Sequence, residues 1–356
     1  MNTSISNKSS EIILSSAFPD INIVSGAEYC MIAVHYNSQN LLYGKFFTYN
    51  SQITLRNLAE LFELFMRKKG HSYFVFNISV YENDNTTPSD STSYSVLYCD
   101  RVIDKEDTTN FLQHNFLNLQ GARRCPPSLP INVYALLQAG ESSLVSVEYQ
   151  AMNPNGEIFT DSLDLTVDTT VYKTEIMDIS VSPDDIRQKA GDVTLLAFTV
   201  HCGMRSITCF IDDGLSDAEL FIFRNEFNFI DWIAFNAVST EKLDVDRSTA
   251  ILNRSLASYD QTVTKSYEVE TGPLSLAEAR SLESLLQSQD VYHAEAPSNS
   301  AKILPVIITE STSEIQNGDD KLNSVKFTWQ FTDVKPRLSI PKFSDIFDAN
   351  YNPAYN

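Results

Sequence analysis

The sequence predicts a mainly β protein of antiparallel sheets, arranged as β-sandwich domains that each carry one flanking helix. Three observations predict it. Aromatic residues make up 11% of the chain, with 21 Phe and 16 Tyr against only 11 Gly, and such side chains fit a pleated, half-buried surface. Apolar and polar residues alternate with period two in many short runs, which is the strand signature. Turn-forming Asn, Asp, Gly, Pro and Ser separate those runs. At 356 residues and 43% hydrophobic, the chain has material for two or three domains.

Taken in order, residues 1–10 are polar and read as a flexible N-terminal arm. A β-rich domain is expected over 11–181. Within it, 29–36 alternates well, Asn37 to Asn40 reads as a four-residue turn, and 41–49 is the returning strand. Thr54 is the expected cap of a helix over 55–69, with Leu55, Leu58, Leu61, Phe62, Phe65 and Met66 in a broad apolar stripe. Arg67, Lys68 and Lys69 fall in its last turn, where cations favour the helix dipole, and Gly70 ends it. Two strands, a polar loop at 82–92 and a short helix near 107–114 follow. A close series of strands at 131–138, 144–152, 157–166 and 171–179 suggests an antiparallel sandwich.

A second domain is expected over 182–333, beginning with a short helix after Ser182. Its strands are read at 193–202, 205–211, 218–224, 232–238, 241–252 and 261–270. The clearest local signal follows. Ser275 sits at an N-cap position with Glu278 three residues on, the spacing of a capping box. Leu276, Ala279, Leu282, Leu285 and Leu286 then share one face of a helix over 276–287. Strands at 302–309 and 324–331 complete the sheet. Residues 334–356 form an extended C-terminal arm, in which Phe343, Phe347, Tyr351 and Tyr355 are the expected contact residues for another subunit or partner.

Charge and motifs narrow the chemistry. A net charge of −20 and a pI near 4.6 repel nucleic-acid phosphates and anionic lipid surfaces. No apolar run is long enough to span a bilayer, and the polar start lacks a signal-peptide pattern, so folding in a cytoplasm is expected. The five cysteines include no CxxC pair. Cys202 and Cys209 flank a turn and could face each other, but buried free thiols are the favoured reading. His35, His71, His114, His201 and His293 are scattered, with no HxxxH or HxH spacing, and His35 and His201, within alternating strands, read as satisfied core or rim residues. No nucleophile elbow, phosphate loop, dinucleotide fingerprint or HExxH is present. The acidic clusters at Asp212-Asp213, Asp244/Asp246 and Asp319-Asp320 read as solvated turns; none has the length of a calcium loop. No catalytic residue, metal site or cofactor is expected.

The run Phe223-Arg224-Asn225-Glu226-Phe227-Asn228 is one of a set with Tyr267-Glu268-Val269-Glu270-Thr271-Gly272-Pro273-Leu274, Ala277-Glu278-Ala279-Arg280-Ser281-Leu282, Pro305-Val306-Ile307-Ile308-Thr309 and Lys326-Phe327-Thr328-Trp329-Gln330-Phe331. Together these resemble virion proteins of tailed phages and prophages of gut anaerobes, over about residues 218–334. The resemblance implies a non-enzymatic tail or baseplate subunit, assembled in the host cytoplasm into the virion. It would pack as a homo-oligomeric ring and touch other tail proteins. The rival expectation is a carbohydrate- or receptor-binding protein of the virion, with host-surface glycan as partner. A third is an acidic glycoside-processing enzyme, which needs only two suitably spaced carboxylates.

Overall fold

A computed structural model describes residues 3–83, 85–103, 107–118, 122–191, 193–252, 255–294, 302–313 and 323–333. The protein is mainly β, with antiparallel pairing throughout except for two short parallel contacts. No described helix is long and apolar enough to cross a membrane.

The first lobe contains β1 (Ser4–Ile5), β2 (Ile12–Leu14), β3 (Ile21–Val24), β4 (Tyr29–Tyr36), β5 (Gln39–Phe47), β6 (Gln52–Leu55), α1 (Leu58–Lys69), β7 (Tyr73–Glu82) and β8 (Asp90–Leu97). The sheets run β1-β3-β6 and β2-β8-β7-β4-β5. Ile21, Ile23 and Ile53 from the smaller sheet meet Ile32, Phe76 and Ile78 from the larger, with Phe62 and Met66 of α1 between. Phe62 stacks on Phe76 with centroids 4.1 Å apart.

Three expectations change here. Residues 4–5 are a strand, not a flexible arm: Ser4 and Ile5 pair with Val24 and Ile23, and Ile5 is buried. One isoleucine in a polar stretch suffices to anchor it, helped by the Ile5 N–H donating to Asp90 at 2.8 Å. Helix α1 begins at Leu58 rather than 55, because Ile53 and Leu55 are committed to the β3–β6 ladder. Asn57 then turns the chain at φ 58°. The β4–β5 turn holds two residues, not four, since Tyr36 pairs with Gln39 and Asn37 supplies a φ of 48°.

The second lobe adds α2 (Thr108–His114), β9 (Arg123–Cys125), β10 (Ile131–Leu137), β11 (Val145–Met152), β12 (Ile158–Asp164), β13 (Glu175–Val181), α3 (Pro183–Ala190), β14 (Thr194–Cys202) and β15 (Arg205–Ile211). One sheet runs β12-β11-β14-β15-β9; β10 and β13 form a separate pair. Val133 and Ile179 from the pair bury against Val147, Phe198 and Val200 from the larger sheet. The strands are therefore not a simple meander: β10 skips its neighbour and pairs with β13. The boundary expected at 181/182 also divides a hydrogen-bonded sheet, because β11 before it pairs with β14 after it from Val145↔Cys202 onward. All five cysteines are buried and free. Cys202 lies opposite Arg205 and Cys209 opposite Phe198, which places the two thiols four residues apart along the ladder rather than face to face.

The third lobe holds β16 (Glu219–Arg224), β17 (Ile230–Phe235), β18 (Ala237–Leu252), β19 (Ser255–Thr271), α4 (Leu276–Gln287), β20 (Val291–Ala294), β21 (Ile303–Ser313) and β22 (Val325–Phe331). Its sheet runs β17-β16-β20-β21-β22-β19-β18. Helix α4 matches the sequence expectation at both ends. The Ser275 hydroxyl accepts from the Glu278 N–H at 3.3 Å, and the Glu278 carboxylate accepts from the Ser275 N–H at 2.9 Å. Ala279, Leu282 and Leu285 pack on Phe221, Phe235 and Phe327. The opposite face of the same strands, through Leu220, Trp232 and Ala234, completes the core of the second lobe. Strands β16 and β17 thus form a wall buried on both sides, which explains their nearly unbroken apolar sequence.

A cleft where α4 meets the first lobe holds Glu226. Its carboxylate accepts from the Ser284 hydroxyl at 3.0 Å. Burial pushes the carboxyl above its ordinary range, and the nearby Arg101 only partly offsets this. The folded protein therefore holds this proton more tightly than the unfolded chain. Its contribution to stability falls as pH rises through the raised value. Glu226→Gln is expected to raise the urea midpoint near neutral pH and to leave it unchanged in acid below the ordinary carboxylate range. An equal midpoint at neutral pH would show that the carboxylate is already well solvated.

Candidate interaction arm

The sequence between residues 237 and 271 alternates, but both faces of the alternation carry polar residues. No core can absorb such a segment, and the structure does not bury it. Strands β18 and β19 pair continuously from Ala237↔Thr271 to Leu252↔Ser255. Strand β22 flanks β19 only from Tyr267 to Glu270, and β18 is the outermost strand of the sheet. Beyond Tyr267 the hairpin continues as a two-stranded ribbon. Residues 255–266 at about 3.3 Å each extend it by roughly 40 Å.

The base of the ribbon is well fixed. Tyr267 stacks on Trp329 with centroids 4.4 Å apart, and Phe331 closes against Tyr267. Lys265 pairs with Glu241 at 2.8 Å and Lys326 with Glu270 at 2.8 Å; Lys242 pairs with Glu268. Hydrogen bonding from Lys242 holds the Glu268 carboxyl below its ordinary value. Exposed pairs of this kind add little stability, but their cross-strand order favours one register.

Directly opposed residues share a face. One face of the ribbon therefore presents Leu243, Val245, Ile251, Leu256 and Val263, with Arg247 among them. The other presents Asp244, Asp246 and Asp260 with threonines and serines. On the apolar face Leu243 is 63% exposed, Ile251 77% and Leu256 72%. A bulge at Ser248/Thr249 leaves Tyr259 without an opposite residue, and its side chain is 70% exposed. Bulges commonly re-aim a side chain in this way. An isolated two-stranded ribbon is marginal in water, and burying its apolar face would stabilise it.

The other candidates resolve differently. Phe343, Phe347, Tyr351 and Tyr355 lie outside the described residues, as does the Asp319-Asp320 cluster. Asp212 is a capping residue: it accepts from the Gly214 N–H at 2.9 Å and pairs with Arg124 at 3.3 Å. Asp244 and Asp246 belong to the polar face of the ribbon. Among the described residues no group of three His, Cys, Asp or Glu is placed to hold a metal. His293 lies within 2.6 Å of Glu219 through Nε2 and stacks on Trp329. The ribbon itself is the element that sequence reasoning missed. Its alternation marks two ordinary strands, and the usable sign in the sequence is that polar residues stand on both faces of it.

No protein-family model matches the chain, and no curated protein matches it. Among solved structures, the full extracellular region of Plexin A4 aligns over 95% of this chain and 40% of that one, at 9% identity and a TM-score of 0.21. The chain thus spans 40% of the length of that structure. A likeness at this level carries no weight for fold or function.

Proposed function

We propose that this chain is a non-enzymatic structural subunit of a tailed-phage particle, in the tail or baseplate, which works by packing against copies of itself and against other virion proteins. The single observation that carries the assembly part is the projecting ribbon with its exposed apolar face. Ordering such a segment costs conformational entropy, and burial between subunits offsets that cost. The phage part draws on the resemblance of residues 218–334. An arm that reaches from the edge of a sheet and carries an exposed apolar face supports this reading.

The test is sedimentation of the full chain across concentration, beside a variant in which residues 244–264 are replaced by a short turn. The full chain is expected to form a closed oligomer, a ring in this reading. The shortened variant is expected to be a monomer whose unfolding free energy lies within about 0.5 kcal/mol of the parent's, because the removed residues touch little of the core. A full chain that stays monomeric at every concentration would end this reading, and turnover of a glycoside would put the enzyme in its place.

One observation favours a second reading, attachment to a host glycan or receptor. Tyr43, Phe47 and Tyr49 on or beside edge strand β5 are 61%, 65% and 81% exposed. Against it, the Lys45 ammonium sits 3.4 Å above the Tyr29 ring beside them, so that ring face is already occupied.

A further inference from the structure

The arm needs an occupant for its apolar face, and charge selects one. The whole chain carries −20. Residues 241–266 carry four acids (Glu241, Asp244, Asp246, Asp260) and four bases (Lys242, Arg247, Arg254, Lys265), so the arm is neutral. Two copies repel through their bodies, and a neutral arm can approach an acidic body at less electrostatic cost than the chain as a whole. On its apolar face, Arg247 bonds the neutral Gln261, at 3.1 Å, and no carboxylate among the described residues.

The complementary surface lies on strand β12. It is the outermost strand of its sheet, so its outer row of backbone groups is open to pairing. Residues 157–172 contain Glu157, Asp161, Asp164 and Asp168 and no lysine or arginine. Their hydrogen bonds come from neutral groups: the Asn153 amide to Glu157, the Ser162 N–H to Asp161 and the Ser142 hydroxyl to Asp168. Ile158 on β12, and Val167 and Tyr172 just beyond it, are 59%, 82% and 96% exposed. The strip is therefore acidic and apolar, as the arm face is basic and apolar.

We propose that the arm of one copy lies along edge strand β12 of a second copy of this chain. This rests on the assembly reading above and names its contact. The open outer side of β18 over 241–252 and the open side of β12 supply main-chain hydrogen bonds, the mode of strand addition. Leu243, Ile251 and Leu256 cover Ile158 and Val167, and Arg247 meets the carboxylates. The arm's roughly 40 Å reach exceeds the Debye length of about 8–10 Å, so the acidic bodies stand apart. Because the two patches differ, the contact is heterologous and either closes into a ring or propagates.

Charge reversal in the full chain tests this, read by sedimentation at low and high salt. Arg247→Glu, and separately Glu157→Lys with Asp164→Lys, are each expected to weaken association by roughly tenfold or more. All three substitutions together are expected to recover most of the loss. The sites are exposed, and circular dichroism of each variant checks that the fold is kept. If the parent assembles and neither reversal changes it, or the combination recovers nothing, the arm–β12 contact is wrong while the assembly reading survives. If the parent never assembles, both fall together.

Discussion

Asp231→Asn is expected to cost about 3–5 kcal/mol of stability, the usual result of stripping one partner from a buried ion pair. Asp231 and Arg123 are both almost inaccessible. The Asp231 carboxylate accepts from Arg123 Nη1 at 3.0 Å, from the Asn118 amide at 3.2 Å and from the Trp232 N–H at 2.8 Å. Arg123 also lies over the Trp232 ring, 4.5 Å from its centroid. Burial alone would push the guanidinium toward deprotonation. The Asp231 carboxylate more than offsets that and holds it above its ordinary value. With asparagine in place, the cation keeps its burial and loses its counter-charge. The paired replacement Arg123→Met with Asp231→Leu removes both charges and is expected to cost far less than the single change. Urea unfolding of the three variants decides it. A single-variant loss under about 1 kcal/mol would mean that water already reaches the pair.

Phe221→Ala is the second large effect, expected at about 3–5 kcal/mol. The ring is fully buried. It lies against Phe235, Phe327, Trp329 and His293, with centroids 5.8, 5.5, 5.9 and 5.1 Å away. Those neighbours sit on β17, β22 and β20, so one side chain holds three strands to the centre of the sheet. Trp329 in turn stacks on Tyr267 at the root of the arm. The substitution is therefore expected to speed amide exchange at the arm's base, at Tyr267 to Glu270, as well as lowering the unfolding midpoint. Unchanged exchange there would show that the arm is anchored by its ion pairs instead.

Local signals in the sequence were reliable where a helix end or a turn is chemically marked. The Ser275–Glu278 capping box fixed α4 at its true start, and Gly70, at φ 68°, ended α1. Period-two alternation located most strands of the first lobe. The sequence was silent on partners. Nothing in residues 131–137 says that they pair with 175–181 rather than with the next strand along. The start of α1 was misplaced because a non-local ladder overrode helix propensity at Ile53 and Leu55. The arm was the largest omission. Alternation at 241–252 and 261–270 identifies strands but cannot say that β22 stops pairing with β19 at Trp329 and leaves the rest of the hairpin unsupported.

The wall formed by β16 and β17 constrains how this polypeptide can be divided. Its two faces belong to different hydrophobic interiors, through Phe221 on one side and Leu220 and Trp232 on the other. A half-molecule ending before the wall would leave one interior wet, and one beginning with it would carry a bare greasy plane into solution. Such fragments are natural aggregators. The second and third lobes are therefore inseparable as expression units, and a tag or cut belongs at the ends of the chain rather than between them.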